Sequence, residues 1–264
     1  LFKSNSSLKG GKRGNMKTLV KMVGLFVVLL VVLTVSFLSS VVAVIPYGAK
    51  YSNERTTTAP ADDPQSHTAL AGNVTYLDIY GYTTTQSWQG YYGNVSGTLQ
   101  LADNNDKVLY NWSLLSPSGE VYATENGSGQ VAWANIACFN LAGNHSALET
   151  WFNISTDDVD GINETFSDAN SHDKFYTANT EFSAGECAAA YMYSEIGQGT
   201  TGIFEEVLLT DQSDDIQVIF TAILEELDEQ GFDGEYYDFE MIVLENGHGT
   251  DTTARNYYFY VELE

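Results

Sequence analysis

Two C-terminal runs decide how this chain reads: Tyr237-Asp238-Phe239-Glu240-Met241-Ile242-Val243 and Tyr257-Tyr258-Phe259-Tyr260-Val261-Glu262-Leu263. In the first, Tyr237, Phe239, Met241 and Val243 share one face, with Asp238 and Glu240 opposite. In the second, Tyr257, Phe259, Val261 and Leu263 do the same. A period of two is the signature of a half-buried strand. The two runs, joined across Asn246–Gly249, are expected to form a hairpin with a longer loop.

The pair is expected as strands near 236–244 and 255–263, and outward from it further strands are expected near 74–82, 96–102, 107–115, 119–124, 129–134, 189–195, 203–210 and 216–225. Turn residues separate them, as in Asp103-Asn104-Asn105-Asp106 and Ser116-Pro117-Ser118-Gly119. One helix is expected at Ser146–Phe152, where Ser146 and Glu149 have capping-box spacing. The fold class is therefore all-β, an antiparallel β-sandwich or jelly roll, with an apolar N-terminal signal or anchor helix. Three regions follow: a leader and signal or anchor segment over 1–43, an N-terminal extension over 44–71, and one large sandwich domain over 72–264.

The leader accounts for the charge distribution. The chain of 264 residues has 35 acidic and 11 basic side chains, a net −24. Six of the bases (Lys3, Lys9, Lys12, Arg13, Lys17, Lys21) precede the apolar run, and no acid precedes Glu54. From Val44 onward 35 acids face Lys50, Arg55, Lys107, Lys174 and Arg255, a balance of −30. Such a body cannot displace counterions from a phosphate backbone, which excludes nucleic-acid binding. Disorder is excluded too, because 44% hydrophobic and 13% aromatic residues can build a core.

Met16–Lys21 is basic, 22–45 is uncharged and apolar, and small residues follow to Ala43. This is the pattern of an export signal cleaved after Ala43. An uncleaved anchor is the alternative, since about 20 apolar residues span a bilayer. Contact with a membrane is expected only through 22–45, if that segment is retained. Processing before the helix near Gly24, as in some archaeal pilins, is a third option, although an acid near the helix start is missing. Met16 is expected to be the translation start, with 1–15 a translated leader.

Export makes two further patterns meaningful. Asn-x-Ser/Thr acceptors occur at Asn73, Asn94, Asn111, Asn126, Asn144, Asn153 and Asn163, none with Pro in the middle. N-linked glycans are expected on them. In Val108–Leu114, alternation puts Val108, Tyr110, Trp112 and Leu114 on one face and Asn111 on the other, where a glycan could stand. Cys138 and Cys187 are expected to form a disulfide in an oxidising compartment. All seven acceptors precede residue 166, whereas 166–264 carries 22 acids against Lys174 and Arg255. The sugar-free half is therefore the better packing surface, with its acidic loops solvated and copies repelling one another unless cations intervene.

No catalytic residue is expected. The chain contains no Gly-x-Ser-x-Gly elbow, no His-Glu-x-x-His and no phosphate loop. No cofactor is assigned and no metal ligand named. Calcium is the one open possibility: Thr156–Gly161 has acids and Gly at the third, fifth and sixth positions of an EF-hand-like loop, but Ser167 stands where a bidentate Glu is needed.

Tyr82–Asn94 together with Phe232–Val243 and Tyr257–Leu263 resembles a group of uncharacterised secreted archaeal surface proteins, over about residues 75–264. The architecture also resembles prokaryotic filament subunits, in which an N-terminal strand completes the sheet of the next subunit. That resemblance implies an extracellular, glycosylated, pilus-like structural subunit whose partners are copies of itself, not an enzyme. Ile45, Tyr47, Ala49 and Tyr51 alternate as a donor strand requires, and a 20-residue tether over 52–71 could reach about 65–70 Å. A membrane-tethered or surface-layer-associated adhesion domain is the competing reading, with 44–71 as its stalk. A secreted hydrolase is a third.

Overall fold

Fifteen strands and two helices occur among the described residues of the computed structural model, which are 45–114, 116–227, 229–246 and 253–263. The expected leader over 1–43 and the apolar helix expected in it lie outside them. The strands are β1 (Tyr47–Gly48), β2 (Trp88–Gly93), β3 (Thr98–Ala102), β4 (Val108–Ser113), β5 (Gly119–Thr124), β6 (Ala137–Cys138), β7 (Phe175–Thr177) and β8 (Thr180–Phe182). They continue with β9 (Ala189–Tyr191), β10 (Glu205–Thr210), β11 (Ile219–Ile223), β12 (Glu229–Gln230), β13 (Tyr236–Tyr237), β14 (Phe239–Leu244) and β15 (Tyr258–Leu263). Helix α1 is Leu141–Trp151 and α2 is Ile162–Thr165.

Seven strands form the central sheet in the order β1-β15-β5-β11-β10, with β6 and β9 sharing the outer edge of β10; every pairing is antiparallel. The sheet is buried on both faces. Val121, Ala123, Leu208, Phe220 and Ala222 point into one core, with Met241 and Val243 of β14, Leu148 of α1 and Ile162 of α2. Their sequence neighbours Tyr122, Val207, Leu209 and Ile219, with Tyr260 of β15, point into a second core, closed by Val131, Trp133 and Ile136 and by Phe175 and Phe182 of the β7/β8 hairpin. Two-sided burial explains why Glu205–Thr210 is buried at every position instead of alternating.

The expected hairpin between the two C-terminal runs does not form. β14 pairs with β2, in the register Phe239↔Gly93 to Leu244↔Trp88, whereas β15 lies between β5 and β1. Sequence proximity favours the local hairpin, but burial decides otherwise. β15 serves both cores, Phe259, Val261 and Leu263 on one side and Tyr260 on the other, so it belongs inside the central sheet. Met241, Val243 and Leu244 serve one core only, and β2 brings Trp88 and Tyr91 to that same core.

Two other expected strands are replaced. Residues 74–82 carry no ladder and are exposed throughout. Within 129–134 a short 3-10 turn, Trp133–Asn135, sets Trp133 edge-on between Tyr122 and Tyr260. The expected helix is present but starts five residues earlier, because Asn140 caps it by accepting from the Gly143 amide (3.1 Å). Ser146 therefore lies inside α1, and its carbonyl accepts from the Thr150 hydroxyl.

Candidate functional site

The open edge of β15 receives the N-terminal extension. Tyr47 lies opposite Val261 and Gly48 opposite Tyr260, and the Ala49 amide donates to the Phe259 carbonyl (2.9 Å). The ladder is short. Ile45, Tyr47 and Tyr51 are exposed, Ala49 is half-buried, and it is Pro46 that is buried. Three of the four alternating residues thus turn outward when this strand seats in its own chain. From Lys50 to Gln86 every residue is exposed and none is in a strand, so the connector is longer than the expected 52–71 linker.

A second exposed apolar surface belongs to the β3/β4 hairpin, where Leu99 faces Trp112 and Leu101 faces Tyr110 across the register. Asn111 is exposed on the opposite face beside Gln100, as alternation requires. The apolar face, however, is not a core face: Val108, Tyr110 and Trp112 are all about half exposed or more. The other acceptors are distributed similarly. Asn73, Asn94, Asn153 and Asn163 are exposed, Asn126 and Asn144 are half-buried, and none of the seven is buried.

Cys138 and Cys187 are joined in a disulfide. Cys138 ends β6 and Cys187 lies two residues before β9, so the bond staples the two short strands that share one edge of β10. His172 is buried beside it. Its Nε2 accepts from the Cys187 amide (2.9 Å) and its Nδ1 lies 2.7 Å from the Asp173 carbonyl, which places the proton on Nδ1.

Many acids are not solvated. Glu120, Glu149, Glu205, Glu206, Asp211, Asp238, Glu240 and Glu262 are buried; of these Asp211 belongs to an acidic loop, 211–215, that was expected to be solvated. Besides Glu262, five of them accept backbone amides. Glu205 takes the amides of Gly202 and Asp173, and Asp211 takes that of Ala132. Asp238 takes that of Val95, Glu240 that of Phe232 (3.0 Å), and Glu206 that of Ile242 (2.9 Å). An amide bonded this way is satisfied without a neighbouring strand.

Burial raises several of these carboxyls. Glu206 lies well above the usual range, while Glu225, which accepts from the Phe204 amide, and Glu240 are each pushed up to about 7. A carboxyl raised in the folded state binds protons that the unfolded chain releases, so its contribution is present at low pH and lost as pH rises through the folded value. Stability is therefore expected to fall between pH 5 and pH 8, by about 3 kcal/mol from Glu225 and Glu240 together once solvent screening is allowed for. Urea midpoints at the two pH values check this, and Glu240→Gln should flatten part of the slope.

One carboxyl pair stands apart. Glu120 and Glu262 are register partners on β5 and β15, and Tyr122 Oη lies between them, 3.2 Å from Glu120 Oε2 and 3.1 Å from Glu262 Oε2. Thr177 Oγ1 of β7 is 3.1 Å from the same hydroxyl, and the Ala178 amide donates to Glu262 Oε2 (2.8 Å). Ala178 has φ +55°, a conformation that non-glycine residues rarely adopt, and this bond helps to hold it. At the start of β5, Gly119 has φ +122° and would place a Cβ only 2.1 Å from the Glu262 carbonyl, so glycine is required there. Sequence reasoning missed this cluster. The available signal was a Glu set in each of two otherwise strand-forming runs, Gly119–Thr124 and Tyr258–Leu263.

The EF-hand-like loop is built by protein contacts. Asp158 accepts from the Ser155 amide (2.8 Å), and the Asp160 carbonyl accepts from the Trp88 indole (2.6 Å). Among the described residues, no group of three or more His, Cys, Asp or Glu side chains is placed to hold a metal ion, and no helix is long and apolar enough to cross a membrane. Comparison with protein families, curated proteins and solved structures finds no match to this chain.

Proposed function

We propose that this chain is a structural subunit of an extracellular, N-glycosylated, pilus-like filament, in which residues 45–51 of one copy add to β15 of the next. In this reading the central sheet and its covering layers are the β-sandwich that accepts the strand, and residues 72–264 are the domain. The observation that carries it is β1: a two-residue ladder on an open sheet edge, followed by an exposed connector with no strand or helix from Lys50 to Gln86. So short a ladder exchanges at low cost, and the same edge accepts the same strand from its own chain or from a neighbour. A strand passed from each copy to the next is a heterologous contact, which propagates into a fibre. The accessible positions of all seven acceptor Asn agree with glycans on the outer surface.

Tyr47 and Val261 are register partners, so cysteines at the two positions report where the strand sits. The double variant Tyr47→Cys/Val261→Cys is expected to give a ladder of covalent oligomers from assembled material. A bridge formed only within single chains refutes donor-strand addition and favours the tethered adhesion domain, whose exposed β3/β4 face would be its binding surface. Deleting 45–51 is expected to leave monomers under electron microscopy, and fibres that persist without it count equally against the mechanism.

A further inference from the structure

The donor strand as seated is a small contact. It pairs two residues with β15; Pro46 is buried and Ala49 half-buried, while Ile45, Tyr47 and Tyr51 face outward. A specific contact between proteins buries on the order of 1,000 Å², and a two-residue ladder falls well short of that. A filament built on it needs a second surface within reach of the same seat.

The seat runs on into one. Continued by two residues, the β1 register brings Ile45 level with Leu263. The Leu263 side chain lies against Gly97, where a Cβ would collide with it. Gly97 opens the β3/β4 hairpin, and its carbonyl accepts from the Leu114 amide (3.4 Å). Beyond that base every residue of β3 and β4 is exposed, and neither strand has a second neighbour among the described residues. A ribbon of two strands is marginal in water, and a third strand stabilises it. Leu99, Leu101, Tyr110 and Trp112 share one face, with Asn111 on the other. The two open edges differ. Leu101 faces Tyr110 and Ala102 faces Val108, so Leu109 is an extra residue in β4, and such a bulge spoils an edge for pairing. The β3 edge is continuous from Thr98 to Ala102 and can take a strand.

The same chain carries strand-forming sequence without a sheet. Over 74–82, Val74, Tyr76, Tyr80 and Tyr82 fall on one side at period two, and each is between 79% and 100% exposed. The Tyr76 hydroxyl donates to the Asp78 carboxyl two residues on, which sets both side chains on one side, as in a strand. Within one copy this segment enters β2 at Trp88, whereas β3 follows the Gly93 end, about 20 Å away along the strand. Neither covers the other.

We propose that when residues 45–51 of one copy seat on β15 of the next, residues 74–82 of that donating copy add to the β3 edge of the acceptor's hairpin as a second, longer strand. This rests on the donor-strand reading above and names what completes the contact. Ladder hydrogen bonds satisfy the open β3 edge, and the tyrosines extend the face of Leu99 and Leu101. Each tyrosine brings about 150 Å² or more, and with the side chains it meets the contact reaches on the order of 1,000 Å². That is the lower limit for independent association, so the contact closes only after 45–51 has tethered the two copies. The 24 residues between Ala49 and Val74 can reach about 80 Å, and such a tether supplies an effective concentration of about a millimolar. The chain lacking 45–51 therefore stays monomeric.

Photo-oxidative dityrosine coupling tests this in fibres grown from equal amounts of isotopically heavy and light full chain. The expected result is coupling of Tyr76, Tyr80 or Tyr82 to Tyr110, with about half of the linked pairs joining a heavy chain to a light one. Links confined to chains of one isotope mean that 74–82 covers the hairpin of its own copy, and this overturns the proposal, as does an absence of such links. Amide exchange over 74–82 and 98–102 is expected to slow at least about tenfold in fibres relative to the chain lacking 45–51; unchanged exchange counts against the proposal equally. Tyr76→Ser/Tyr80→Ser alters only exposed positions, and its fibres are expected to lose subunits about a hundredfold faster on dilution. Tyr47→Cys/Val261→Cys bridges between chains, found without the tyrosine links, sink this inference alone. Bridges only within single chains sink the donor-strand reading and this inference with it, so the two failures are distinguishable.

Discussion

Replacing Phe220 with alanine is expected to destabilise the fold by about 4 kcal/mol, seen as a lower guanidinium midpoint with a nearly unchanged slope. Phe220 is fully buried in β11, and its ring meets three others, Trp88 of β2 (6.2 Å), Phe166 after α2 (6.5 Å) and Tyr257 before β15 (6.0 Å). These rings come from segments distant in sequence, and Phe220 is the contact common to them. Truncation removes apolar burial and leaves a cavity that the surrounding strands cannot close, because their positions are set by ladders. Tyr110→Ala, on the exposed β3/β4 hairpin, is expected to cost under about 1 kcal/mol in the same assay. A loss at Phe220 no larger than at Tyr110 would contradict the packing described for this core.

Removing the disulfide with Cys138→Ala/Cys187→Ala is expected to cost a similar amount. The two residues are 49 apart, and closing a loop of that length restricts the unfolded chain by about 4 kcal/mol in the chain-entropy picture. For a domain of this size the melting midpoint should drop by about 10 °C. The loss should also be local. The closed segment contains α1, α2 and the β7/β8 hairpin, and it is anchored at its ends by β6 and β9 on β10. Amide exchange is expected to accelerate first in residues 171–187, where His172 loses the fixed position of the Cys187 amide. Uniform acceleration across the sheet would mean that the bond acts only on the unfolded chain.

Much of the strand content was legible because period two is local. β3, β4, β5, β10, β11, β14 and β15 all fall within the segments expected from alternation and turn residues. The failures have one cause in common. Residues 74–82 alternate as a strand does, and so does Val131–Trp133, yet the first has no partner and the second plugs a core as a 3-10 turn. Alternation states that a segment can present an apolar face; it does not say that a neighbouring strand is there to bond it. Asn140 was similarly overlooked as the α1 cap, because Ser146 and Glu149 matched a stronger local pattern.

The candidate edge was partly legible. The alternation of Ile45, Tyr47, Ala49 and Tyr51 marked a strand, and β1 lies within that segment. Its register on β15, and hence the burial of Pro46 instead of its neighbours, depended on Phe259–Val261, more than 200 residues away. The acids were the least legible. A glutamate in a strand reads as solvent-facing, and only a sheet covered on both sides forces Glu120, Glu206 and Glu262 inward.

By itself, then, the amino-acid sequence determined the all-β class, the positions of most strands and the separation of the acceptor Asn from the acid-rich half, since each follows from residue type at short range. Tertiary structure alone decided that β14 and β15 part company, that Cys138 and Cys187 staple two strands on one edge, and that Glu120 meets Glu262 across Tyr122. The physical reason is that strand partners and buried charges are chosen by the free energy of covering both faces of one sheet, a quantity that no stretch of local sequence contains.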